Sequence, residues 1–196
     1  MVSSIGDGIM LPLIGTLVMN TISNDSDWRY KNAGIMAFSQ VGEYVDEPEK
    51  LKMMIPVIVQ HCQHPNPKVR YASLHAIGQI SDDMPETFQK AYAADVLPQL
   101  ISSIDDSCPR VQSHACAAFT NFMEGYKQDL TDSQIQHVTQ KLMHLVQTGI
   151  SLVKENAVTA LATFVEQAQA NFIPYFKETV GILVTSLNQH TSKEYK

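Results

Sequence analysis

The chain has 196 residues, 44% hydrophobic and 17% charged, a balance that suits a folded protein and excludes a disordered one. Its net charge of −6, from 20 acids against 14 bases, argues against nucleic acid as the main partner. Phosphate binding needs clustered Lys and Arg, and no such run occurs.

No apolar stretch reaches membrane-spanning length, and "MVSSIGDGIML" lacks the basic start of a signal peptide. Cys62, Cys108 and Cys116 form no paired framework, which fits a reducing compartment. A soluble, intracellular protein without membrane insertion is expected.

In chain order, the pattern predicts helices near 8–23, 28–44, 48–63, 67–82, 91–105, 109–125, 131–148, 151–167 and 171–188, with no strand. The first, third and later odd members form one class, helix A. Four of them share an apolar-Pro-x-apolar start, at Pro12, Pro56, Pro98 and Pro174. Proline is tolerated in a first helical turn, where its missing N–H would be unpaired anyway. Turns such as "NDSD", "HPNP" and "DDSCP" then lead into helix B.

The B helices are copies of one another. "PKVRYASLHAIGQISDD" returns as "PRVQSHACAAFTNFMEG" and "SLVKENAVTALATFVEQ", after an earlier "DWRYKNAGIMAFSQVGE". Their Ala-apolar pairs, Ala37-Phe38, Ala76-Ile77, Ala118-Phe119 and Ala160-Leu161, are spaced 39, 42 and 42 residues apart. In the second copy Val69, Ala72, Ser73, Ile77 and Ile80 share one broad face with Ala76 at about 100° per residue. Small residues on that face let another helix come close, and the preceding A helix is the expected partner.

Two helices in about 40 residues match the HEAT or armadillo type, and two rather than three favour HEAT. The expected fold is all-α, a single HEAT-repeat solenoid over 1–196. Its repeats lie near 8–44, 48–82, 91–125 and 131–167, with a half repeat at 171–196. The ending "TSKEYK", after an A helix with no B helix to cover it, reads as a cut from a longer array.

Stacked copies turn equivalent positions into columns. Three residues after each repeat alanine stand Gln40, Gln79, Asn121 and Thr163; six after stand Glu43, Asp82, Glu124 and Glu166. Asp83, Asp46 and Glu47 lie nearby. Acids at helix C-termini oppose the helix dipole, which points to a basic partner; a solvated face of a mildly acidic protein is the alternative. An exposed ion pair contributes roughly 0.2–1 kcal/mol, whereas micromolar binding needs about 8 kcal/mol. The amides would therefore have to hold an extended peptide while the acids meet its lysines.

Arg29, Lys68 and Arg110 form a third row, broken by Leu152, with Arg70 and Lys154 beside it. Bridges to acids such as Asp27 or Asp106 are the expected role, and an anionic partner is the alternative. "HCQH" (His61, Cys62, His64) offers no second cluster at ligand spacing, so no metal is expected. His114 and Cys116 should point to different faces, His75 should be an ordinary surface histidine, and Trp28 a packing anchor. "GDG" at Gly6 lacks the third glycine and the strand of a dinucleotide site. No catalytic constellation and no cofactor are expected.

"DWRYKNAGIMAFSQVGE", "PNPKVRYASLHAIGQI", "PRVQSHACAAFTNF" and "NFIPYF" resemble the importin-β superfamily of nuclear transport receptors, most like the importin beta-3 type of karyopherin. The resemblance runs from about residue 9 to the end. It implies a much longer HEAT superhelix, of which this would be a central part. It also implies B helices lining a concave surface for cargo with basic localisation signals, binding of Ran-GTP and of Phe-Gly nucleoporins, and shuttling between cytoplasm and nucleus. The rival expectation is a HEAT scaffold of another assembly, such as a phosphatase regulatory subunit; an enzyme is a distant third.

Overall fold

The computed structural model describes residues 7–24, 26–41, 44–45 and 48–194. Nine α-helices are seen there: α1 (Asp7–Ile22), α2 (Trp28–Val41), α3 (Ile55–His61), α4 (Pro67–Asp83), α5 (Thr87–Ser103), α6 (Pro109–Glu124), α7 (Asp132–Thr148), α8 (Ser151–Ala168) and α9 (Ile173–Glu194). Short 3-10 turns cover Pro48–Leu51 and Gln169–Phe172. No strand occurs among the described residues. No helix there is long and apolar enough to cross a membrane.

The even-numbered helices are the B class, and they stack side by side as one layer: α2 on α4, α4 on α6, α6 on α8. The odd-numbered A helices form the second layer; α1, α3, α5 and α7 each pair with the B helix that follows, while α9 packs on α7 and the 3-10 turn before it. Two layers of helical hairpins around a continuous core is the arrangement that a 42-residue period demands.

Local chemistry sets the helix starts. Asn66 caps α4 by accepting from the Lys68 N–H at 2.9 Å, with Pro67 in the first turn. Thr131 and Gln134 form a reciprocal capping box at α7.

The repeat alanine does something the sequence did not indicate. A methyl group on Gly78 would stand 3.1 Å from Ala118 Cα and 3.3 Å from its Cβ. Ala118 is thus a spacer between α4 and α6, packed on the residue two after the previous alanine. The close A-to-B approach is made elsewhere: a methyl on Gly34 would come 2.7 Å from Ile22 Cγ1 and 3.3 Å from the Val18 carbonyl.

This register explains the exposures at the two ends of the layer. Ala76, Ala118 and Ala160 are buried, yet Ala37 is exposed, because no described B helix lies on that side of α2. Two residues before the alanine, Ile35, Leu74 and Cys116 are buried, whereas Val158 is 40% exposed. Ala162 is exposed where Ser39, Gly78 and Thr120 are buried.

Three expectations need correction. The predicted A helix over 48–63 is broken into the 3-10 turn and α3. Pro56, in the first turn of α3, would clash with the carbonyl four residues before it if the helix ran on. Pro98 and Pro12 do not open their helices; Pro98 lies inside α5, which starts at Thr87, and Pro12 inside α1. Of these four A-helix prolines, only Pro56 and Pro174 sit at the first-turn position.

Candidate functional site

The stacked register can be read from bonds between B helices. The Asn121 amide donates to the Gly78 carbonyl at 3.2 Å, 43 positions back. Asn156 donates to Ser113 Oγ at 3.0 Å, again across 43 positions. Asn32 donates to the Lys68 carbonyl at 2.9 Å. A side chain on one B helix therefore lies beside the one about 42 positions later.

At that offset Asp82, Glu124 and Glu166 occupy equivalent places near the C-terminal ends of α4, α6 and α8, and all three are exposed. Glu43, Asp46 and Glu47 lie outside the described residues, as does Gly6. The amide row is more varied. Gln40 is exposed, while Gln79, Asn121 and Thr163 are half-buried. Gln79 Nε2 donates to Asp83 Oδ1 at 2.9 Å, so this amide steadies an acid of the same helix. Asn121 has one donor committed to the preceding B helix, which leaves its carbonyl oxygen and second N–H for a ligand.

Arg29 and Lys68 of the basic row, with Arg70 beside it, meet partners within the fold. Arg29 pairs with Asp27 at 2.8 Å. The Arg29 guanidinium and Lys68 ammonium stand 4.9 Å and 5.2 Å from the Trp28 ring centre, so Trp28 anchors the junction of α2 and α4. Arg70 forms a two-bond pair with Asp106, and Lys141 pairs with Asp105. The Arg70–Asp106 and Lys141–Asp105 bridges join successive repeats, whereas Arg29–Asp27 lies within one turn.

"HCQH" is likewise committed. His61 Nδ1 meets the Val57 carbonyl at 2.7 Å, His64 Nδ1 accepts from the Asn66 N–H at 3.0 Å, and the two rings stack 5.9 Å apart. Burial pushes the Cys62 thiol up to about 12, as it does that of Cys116. No group of three metal-binding side chains is found among the described residues.

His75 is not an ordinary surface histidine. It is half-buried, and its Nδ1 lies 3.3 Å from His114 Nε2 on the next B helix. His114 in turn stacks on Tyr71 with centroids 4.2 Å apart. The contact crosses two repeats, so a single helical pattern carries no sign of it.

A separate groove lies between the A helices α5 and α7. It has a volume of about 680 Å³ and is lined by Leu97, Pro98, Ile101, Tyr126, Gln134 and His137 among others.

The family described as stalled ribosome sensor GCN1-like HEAT repeats matches residues 8–149. The chain belongs to the HEAT-repeat family. It is also homologous to importin subunit beta-3 of Saccharomyces cerevisiae, with 32% identity over 189 residues. That match covers 93% of this chain and 17% of the relative. The crystal structure of Kap121p overlays with a TM-score of 0.85 at 28% identity, covering 93% of this chain and 18% of that one. Kap121p bound to Pho4p and Kap121p bound to Nup53p each give 0.85 at 27% identity, over 92% and 18%. The chain thus spans less than a fifth of the length of the relatives it matches. Those relatives are karyopherins, transport receptors rather than enzymes.

Proposed function

We propose that these repeats are a section of a nuclear transport receptor and that their B-helix face takes a linear, Lys-rich segment of cargo. The observation that carries this is the alignment of exposed Asp82, Glu124 and Glu166 on three successive B helices. The kinship to importin beta-3 supports it. Further support comes from a Kap121p variant in which two aspartates and a glutamate, each about 42 positions from the next, are replaced by lysine. Lysine ammonium groups would meet the acids, and Gln40, Gln79, Asn121 and Thr163 would hold the peptide backbone between them. Asp83, with Glu43 of the first repeat, would extend the acidic row.

In the full-length protein, Ran-GTP bound elsewhere on the array would displace cargo, making transport a coupling free energy between sites. The receptor would shuttle between cytoplasm and nucleus. The groove between α5 and α7, where Leu97, Pro98 and Ile101 stand beside Gln134 and His137, would take the aromatic side chain of a Phe-Gly nucleoporin. The array would sit within a longer superhelix, as its small share of the relatives' length suggests.

The test is a fluorescence anisotropy titration of a Lys-rich peptide at two salt concentrations. Replacing Asp82, Glu124 and Glu166 by lysine should weaken binding at least about tenfold, one decade being about 1.4 kcal/mol. The loss should be greatest at low salt. Unchanged affinity there would remove the row from the site.

A further inference from the structure

The B face carries a feature that the acid row does not use. Tyr71 and His75, four positions apart on α4, hold their rings within 2° of parallel with centroids 6.4 Å apart. His114 of α6 stacks against both, at 4.2 Å from Tyr71 and 5.4 Å from His75. All three residues are half-buried, so none is sealed in the core. The other ring pair between B helices among the described residues, Phe119 with Phe164, is buried.

The exposed stripe of the face is therefore layered along the helix axes. On α4 it runs from Tyr71 and His75 through Gln79 to Asp82 and Asp83; on α6 it runs from His114 through Asn121 to Glu124. Neither helix has a carboxylate at the ring level, since their acids are confined to these C-terminal positions. A lysine ammonium is compact and strongly hydrated, and without an acid it gains little there. A guanidinium is planar, weakly hydrated and stacks on aromatic faces.

At about 1.5 Å per residue, Asp82 lies roughly 10 Å beyond His75 and roughly 16 Å beyond Tyr71. An extended peptide covers about 3.3 Å per residue, so three to five residues bridge that span. We infer that the Tyr71–His75–His114 stack seats an arginine of the cargo segment, about three to five positions from the lysine held by the acid row. This rests on the proposed cargo role of the B face. Burial and the neighbouring His75 hold His114 down at about 4, so its ring is uncharged at neutral pH and does not repel the guanidinium.

The experiment titrates the whole chain with peptides that carry one lysine cluster and one arginine four positions away. Changing that arginine to lysine should weaken binding about threefold to tenfold, the range of a partly desolvated cation–π contact. Moving it next to the lysines should cost the same. His114→Leu and Tyr71→Leu should abolish the preference for arginine, with thermal melts confirming that each variant is folded. Equal affinity for the arginine and lysine peptides on the unaltered chain overturns the inference, without needing any variant. Replacing Glu124 by lysine should weaken every peptide alike. If it weakens none, the acid-row proposal falls, while the arginine preference still decides the stack.

Discussion

Arg70 of α4 and Asp106, in the turn before α6, form a two-bond ion pair, with Nε to Oδ2 at 2.6 Å and Nη2 to Oδ1 at 2.8 Å. Their side chains are only 14% and 9% exposed, and Arg70 Nη1 also donates to the His64 and Pro65 carbonyls. The pair fastens the turn of one repeat to that of the next. Removing one partner leaves a charge with little access to water, which costs far more than an exposed pair is worth. Arg70→Ala should lower stability by about 3 kcal/mol in urea unfolding. Arg29→Ala, at an exposed pair, should lower it by less than about 1 kcal/mol. Equal effects would show that burial does not matter here.

The contact of Gly78 with Ala118 sets the spacing between α4 and α6. Gly78→Ala puts a methyl group 3.1 Å from a backbone carbon that cannot swing aside, so the helices must part. A cost of about 1–3 kcal/mol is expected, as for overpacked cores. Ala162→Leu, at the equivalent but exposed place on α8, should be nearly neutral. A melt that ranks these two the other way would refute the spacer role.

His114 makes stability depend on pH. Its folded-state value of about 4 lies below the usual 6.5, because the ring is largely buried and faces His75. Between those values the unfolded chain binds a proton that the folded chain refuses, so stability falls as pH drops from about 6.5 toward about 4. Above that window the contribution is fully present. Because the ring is partly solvent-screened, the loss should be about 2 kcal/mol. His114→Gln should flatten this part of the urea-midpoint profile; a profile with unchanged slope would show that the proton goes elsewhere.

Much of this was legible before any coordinates. The B helices fall within a few residues of their expected bounds, because their small-apolar rhythm and their Pro or Asn starts all agree. The break before α3 was also written in the chain, at Pro56, but the apolar run around it read as one helix. The columns of Asp82, Glu124 and Glu166 followed from the period alone. Two facts did not. The pairing of Gly78 with Ala118 and the stack of Tyr71 with His114 join residues about 40 positions apart, and helical periodicity ranks faces without saying which neighbour each face meets.

Gln169 has a positive φ of 48°, with ψ −128°, a backbone region open mainly to glycine. It links α8 to the following 3-10 turn, and its side chain is exposed. Gln169→Gly should therefore relieve strain and raise stability by about 1 kcal/mol, or the melting temperature by roughly 2–4 °C. A lower melting temperature would mean that the residue is held by contacts stronger than its strain.

The Ala118 spacer has one more consequence, for shape. Between α4 and α6 the contact of Gly78 with Ala118 leaves almost no slack, so the angle between these two helices is decided locally. In a repeat array, where each unit touches mainly its neighbours, a small tilt at that pivot is carried forward by every later hairpin. A ligand gripping two or three adjacent helices could thereby be sensed far beyond its own footprint.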